Sequence, residues 1–99
     1  IMSKSFLKEV DKVARYLWNE LIALQKYFDE IVEVRGAGLL LGIKTKSNNT
    51  EISKHFEDHG LLTIPASDNV VRLSPPLIIN KQDVDRAIKI IKKALYSNQ

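Results

Sequence analysis

Ninety-nine residues, 44% of them apolar and 27% charged, suit one small globular domain and argue against a disordered chain. The formal charge of +3 comes from 15 basic and 12 acidic residues spread along the chain, so a nucleic-acid-binding surface has little support. Cysteine is absent, which removes disulfides, thiolate metal sites and a cysteine nucleophile.

No apolar run reaches membrane-spanning length, and the first residues lack the layout of a signal peptide. The expectation is a soluble, cytoplasmic protein with no membrane or nucleic-acid partner. The chain opens Ile1-Met2 and enters a helical pattern within a few residues. A native start normally places Met first, so residues 1–99 read as a single domain cut from a longer chain.

Ser5 can cap the first helix. Phe6, Val10, Val13, Leu17, Leu21, Leu24 and Phe28 then recur at steps of four and three, one stripe of an α-helix about seven turns long. Tyr16 and Trp18 either widen the buried face or meet a partner. Ile31 to Val34 alternates apolar and acidic residues as a half-exposed strand does, and Arg35-Gly36-Ala37-Gly38 is expected to break it. Leu39 to Thr45 reads as a second strand, with Ala37, Leu39, Leu41 and Ile43 on one face. Gly38 and Gly42 on the other face imply a bulge or a close approach to the backbone. Gly36 and Gly38 are not a dinucleotide fingerprint, because no helix follows and no third glycine sits at the right step.

Lys46 to Asn49 is a polar turn. Asn48 with Glu51 resembles a capping box, and Gly60 closes a short helix that carries Ile52, His55 and Phe56. His55 and His59 share a face at a spacing that can hold a metal. HFEDH is not HExxH, however, and the chain has no third histidine. Two half-exposed histidines near a helix C-terminus, where the dipole favours them, are expected instead, and no metal site.

Two short apolar runs follow, Leu61 to Ile64 and Val70 to Leu73, around the turn residues Pro65 to Asn69, and read as a pair of strands. The pleat sends Val71 and Leu73 to one face and Val70, Arg72 and Ser74 to the other. A guanidinium in an otherwise apolar strand either reaches into water or holds an anion. Asn80 then caps a last helix, with Asp83 and Asp85 near its N-terminus and Val84, Ile88, Ile91 and Leu95 as its stripe. Lys89, Lys92 and Lys93 form a solvated face. The order helix, strand, strand, helix, strand, strand, helix lacks a long βαβ crossover. It describes an α+β fold, a small antiparallel or mixed sheet of about four strands with helices on one face. The strands contain no Phe, Tyr or Trp, which discounts an RNA-stacking sheet.

Three stretches carry a resemblance: VRGAGLLLGIKT at 34–45, HGLLTIPASDNVVRLSPPLII at 59–79, and a helix opening NKQDVDRAI at 80–88. In order and spacing they resemble the C-terminal small domain of the class III aminotransferases, fold-type I enzymes that use pyridoxal phosphate. Within that class the wording DNVVRLSPPL is most similar to the acetylornithine aminotransferases of arginine biosynthesis. The resemblance covers nearly the whole chain, though the first helix matches in pattern more than in letters. It implies that Arg72 receives the substrate's α-carboxylate, a role that suits a planar fork of donors better than the point charge of lysine.

The resemblance also implies a transfer of the amino group of N-acetylornithine to 2-oxoglutarate by a homodimeric full-length enzyme. The cofactor lysine, the aspartate for the pyridine nitrogen and the phosphate loop of that family are not among these 99 residues. The chain by itself is therefore expected to be inactive, with pyridoxal phosphate bound by the full-length enzyme. Apart from the resemblance, Arg72 reads as half of a surface ion pair with Asp68 or Asp85. Arg35 reads as closing a turn or pairing with a carboxylate. A free-standing α+β ligand-binding or regulatory module with an anion site at Arg72 is the alternative. The amino donor among acetylornithine, ornithine, succinylated diamines and 4-aminobutyrate is left open by the sequence.

Overall fold

The computed structural model describes residues 4–37, 40–73 and 80–97, with side chains described in 12–36, 41–73 and 80–97. Its elements run α1 (Lys4–Gln25), β1 (Ile31–Ala37), β2 (Leu40–Thr45), α2 (Asn49–Asp58), β3 (Thr63–Ala66), β4 (Val70–Leu73) and α3 (Lys81–Ser97). This is the expected order. The four strands form one sheet, β1-β2-β4-β3, and every neighbouring pair is antiparallel. The fold is α+β, and the sheet is antiparallel rather than mixed.

α1 begins at Lys4, so Ser5 lies inside the helix instead of capping it. The helix is also shorter than its stripe suggests, 22 residues or about six turns. It ends at Gln25 because the chain tightens there, with Lys26 N–H donating to the Ala23 carbonyl. Phe28, the last member of the stripe, is buried beyond the helix end, as are Leu17, Leu21 and Leu24 within it. Tyr16 and Trp18 pack half-buried against this core and widen the apolar face. Phe6 and Val10 lie outside the described side chains.

β1 does not break at Arg35. It continues through Gly36 and Ala37, because their backbones pair with Leu41 and Leu40 of β2 while Arg35 pairs with Gly42. The register shifts between Ile31 and Glu33, which places an irregularity at the start of β1 and none at Gly36 or Gly42. Gly38 and Leu39 lie outside the described residues.

Asn48 caps α2, but among the described residues the Glu51 side chain does not return a bond to the Asn48 N–H, so the capping box is half made. The Asn48 side chain accepts from the N–H groups of Thr50 and Glu51. At the other end Gly60 has φ +96°, which glycine adopts freely. Gly60 N–H donates to Glu57 and Leu61 N–H to Phe56, and both Phe56 and Leu61 are buried. This is the paired-bond helix stop with its accompanying apolar contact.

The second hairpin starts later than expected. Leu61 and Leu62 precede β3, while Pro65 and Ala66 belong to it, leaving Ser67 to Asn69 as the turn. Pro65 is tolerated because β3 lies at the sheet edge. Asn80 caps α3 by accepting from the Asp83 N–H at 2.8 Å. Val84, Ile88, Ile91 and Leu95 are all buried, joined by Ala87 and Ala94. The core joins these helix residues to Val34, Leu41, Ile43, Val71 and Leu73, which share one face of the sheet. The helices cover that face. The other face carries Arg35, Gly42, Lys44, Val70 and Arg72, and Val70 is buried there. Residues 74–79, with Pro75 and Pro76, lie outside the described residues.

Candidate functional site

The sheet register puts Arg35, Gly42, Arg72 and Ile64 in one row across the uncovered face. The next row is Glu33, Lys44, Val70 and Ala66. Gly42 therefore stands between two arginines. A Cβ there would come within 2.9 Å of Val70 Cγ1 and 2.9 Å of the Val71 carbonyl oxygen. The close approach that the sequence implies for a glycine is thus real at Gly42, where Val70 and the β4 backbone fill the space that a side chain would take. Beside it is a hollow of about 210 Å³, lined by Arg35, Leu41, Gly42, Ala66, Ser67, Val70 and Arg72.

The turn from β3 to β4 delivers an acid to this face. Asp68 and Asn69 both take positive φ, 63° and 59°. Asp and Asn tolerate that conformation better than most residues. The Asn69 amide anchors the turn by donating to the carbonyls of Thr45 and Ser47 and accepting from the Asn49 N–H. Asn49 in turn donates to the carbonyls of Ala66 and Val70. Asp68 meets Arg35 Nη1 at 2.5 Å and Lys44 Nζ at 3.2 Å. The hydrogen bond from Arg35, followed by that from Lys44, holds the Asp68 carboxyl below its ordinary range. Arg35 also contacts Glu33 at 3.3 Å. Its hydrogen bonds to Asp68 first and Glu33 second raise its already high pKa.

Arg35 is thus paired with carboxylates of the fold, one of the two roles that its sequence context allows. Arg72 is different. It is exposed, and among the described residues no ion pair or hydrogen bond engages its guanidinium. Neither acid that sequence reasoning offered it is available. Asp68 is held by Arg35 and Lys44, and Asp85 accepts the Tyr16 hydroxyl. An unpaired guanidinium at the edge of a hollow can receive a planar anion through two parallel hydrogen bonds.

The asparagine clamp at 49 and 69 escaped sequence reasoning. Its one signal was Asp68-Asn69 within a turn, which implies left-handed backbone but names no partner. The histidine pair holds no metal-like arrangement with a third ligand among the described residues. His55 Nε2 lies 2.7 Å from the Ala94 carbonyl and His59 Nδ1 2.9 Å from the His55 carbonyl. Those bonds tie α2 to α3 and close the end of α2. A larger hollow of about 470 Å³ lies between α1 and α3, lined by Leu24, Tyr27, Phe28 and Tyr96 with Glu20 and Lys92 beside them. Size favours that hollow, but chemistry favours the smaller one, where an unpaired cation converges with a fixed backbone.

Comparison with known proteins bears on this geometry. The family model described as aminotransferase class-III matches residues 1–95. The acetylornithine aminotransferase of Bacillus cereus is 37% identical over 91 residues, covering 92% of this chain and 24% of that protein. The mitochondrial acetylornithine aminotransferase of Yarrowia lipolytica is 37% identical over 99 residues, 99% of this chain and 24% of its own length. Among solved structures, the N-acetylornithine aminotransferase of Stenotrophomonas maltophilia superposes with a TM-score of 0.85 at 27% identity, over 97% of this chain and 28% of that one. The ornithine delta-aminotransferase of Plasmodium falciparum gives 0.80 at 35% identity, over 90% of this chain and 24% of its own. The chain thus spans about a quarter of the length of the curated relatives it matches.

Proposed function

From the premise that this chain belongs to the class-III aminotransferase family, we propose that it is the small C-terminal domain of a pyridoxal-phosphate enzyme. That enzyme moves the amino group of N-acetylornithine to 2-oxoglutarate in arginine biosynthesis, and Arg72 receives the substrate's α-carboxylate. The observation that carries the reading is the guanidinium of Arg72, without an ion pair among the described residues, beside the hollow at Gly42. The neighbouring cations Arg35 and Lys44 are already engaged. Curated relatives at 35–37% identity are named for acetylornithine, and a solved ornithine aminotransferase is 35% identical, so the choice of acetylornithine as donor is part of the proposal.

The proposal gives the lysines of this chain no part in holding the cofactor. Lys54, Lys81, Lys89, Lys92 and Lys93 are exposed on helices, and Lys44 is paired with Asp68. No buried side-chain polar atom among the described residues lacks a partner. The cofactor belongs to the rest of the enzyme in this proposal, and the contribution of the chain is orientation. Arg72 fixes the carboxylate end of the amino acid, which determines where the amine at the other side of the α-carbon points. The cytoplasmic homodimer expected from the resemblance remains part of the proposal. No helix among the described residues is long and apolar enough to cross a membrane.

The test is a transamination assay on the intact enzyme that carries this chain, with N-acetylornithine and 2-oxoglutarate. Arg72→Ala is expected to lower kcat/KM by about 100-fold, the worth of a bidentate charge-assisted pair. Cofactor absorbance should remain as in the parent. Arg72→Lys restores charge without the fork and recovers only part of the loss. Equal activity of parent and Arg72→Ala would make Arg72 structural. An intact protein inactive with every amino donor would leave the anion-binding module as the function.

A further inference from the structure

We propose that Asp68 sets the number of carboxylates accepted at Arg72, by keeping Arg35 and Lys44 occupied so that this face carries one net positive charge. The inference rests on the reading of Arg72 as a carboxylate receptor and adds a determinant of selectivity to it.

Five ionisable side chains share the two rows of the uncovered sheet face and the turn above them: Arg35, Lys44, Arg72, Glu33 and Asp68. The two acids balance Arg35 and Lys44, and Arg72 is left. Asp68 touches both cations at once, at 2.5 Å and 3.2 Å, one on each oxygen. It does so from a turn whose backbone is pinned by the Asn69 amide, so the carboxylate is aimed at the two cations while its side chain stays 57% exposed. Arg35 and Arg72 are two strands apart, about 10 Å between Cα atoms by strand spacing, with only Gly42 between them. The two side chains therefore border the same hollow.

Arg35 faces a choice of anions. With Asp68 present, its fork is closed by Asp68 and Glu33. Without Asp68, Arg35 keeps only Glu33, and Lys44 loses the ion pair that holds it. The face then carries two net positive charges around one hollow, and a diacid gains a second attachment there. A diacid bound with both ends in the small domain cannot present its reacting carbon as a substrate does. Asp68 thus selects against this binding by removing the second attraction.

The experiment uses the intact enzyme and two inert probes competing with the amino donor, propionate with one carboxylate and glutarate with two. Asp68→Asn should tighten glutarate inhibition about fivefold relative to propionate at low salt, the effect of one extra unit charge across the hollow. The gain should shrink as ionic strength rises. Asn tolerates the left-handed backbone at this position, and Asp68→Gly removes the carboxylate with no conformational penalty, so the two variants should agree. Adding Lys44→Gln to Asp68→Asn restores the single net charge and should return the ratio to that of the parent. A ratio unchanged within twofold in both Asp68 variants overturns the proposal, and so does a double variant that keeps the altered ratio. Arg72→Ala separates the two readings. If it weakens propionate while the Asp68 variants move nothing, charge counting fails and the carboxylate role of Arg72 stands. If it leaves propionate unchanged, the carboxylate role itself fails.

Discussion

At the scale of single residues, the uncovered face is governed by Gly42 as much as by the arginines beside it. The Val70 methyl and the Val71 carbonyl leave no room for a Cβ at 2.9 Å. A carbonyl in a sheet ladder cannot give way as a flexible side chain can. Gly42→Ala should therefore cost about 1–3 kcal/mol, as overpacking typically does, and denaturant unfolding of the chain measures it. An unchanged midpoint would mean that β2 and β4 separate at little cost. The sequence made Gly42 legible as a close approach because glycine interrupts a strand of large apolar residues. Arg72 was legible as an oddity in the same way, a cation among valines and leucine. Its freedom from ion pairs was not legible, because Asp68, four residues away, was an equally good partner on paper.

At the scale of elements, the helices follow local rules and the second hairpin does not. The Asn48 cap, the Gly60 stop and the Asn80 cap each depend on bonds within five residues, so their positions follow from the letters. The β3–β4 turn depends on β2 and α2. Asn69 bonds to Thr45, Ser47 and Asn49, between 20 and 24 residues back along the chain. Asn69→Gly keeps the positive φ at no cost and deletes all three bonds. It should lower stability by roughly 2–3 kcal/mol, the penalty for half-buried polar groups left without partners. Thermal unfolding reports this, and a variant as stable as the parent would show that water replaces the amide. The shift of β3 from 61–64 to 63–66 has the same origin. The helix stop at Gly60 uses Leu61 as its apolar contact, so the strand can begin only after it.

At the scale of the molecule, α1 and α3 join the two ends of the described chain on the sheet's covered face, and Tyr16 is a polar tie between them. Its hydroxyl donates to Asp85, and Lys81 lies 5.2 Å over its ring. The hydrogen bond to Asp85, with desolvation second, pushes the Tyr16 hydroxyl up to about 12 from an ordinary 10.0. A raised folded-state value means that the neutral hydroxyl is the stabilised form. Its contribution is complete below pH 10 and is lost as pH rises toward 12. The stability difference between the parent chain and Tyr16→Phe should therefore be constant up to about pH 10 and vanish by about pH 12. Paired denaturant titrations over that range check it, and a difference that persists at pH 12 would assign the tie to packing.

The sequence by itself determined the order of seven elements, the apolar stripes of α1 and α3, the helix ends at Asn48, Gly60 and Asn80, and the opposite facing of Arg72 and its apolar neighbours. All of these rest on periodicity or on bonds between residues close in the chain. Family membership was legible too, because the motifs at 34–45, 59–79 and 80–88 keep their order and spacing. Tertiary structure alone decided how far β1 runs, where β3 starts, and which of three neighbouring cations Asp68 takes. Those outcomes depend on register between strands distant in sequence. Arg35, Lys44 and Arg72 become competitors for one carboxylate only once β1, β2 and β4 lie side by side. Lateral pairing of strands, which no local pattern encodes, is what leaves Arg72 without an ion pair among the described residues.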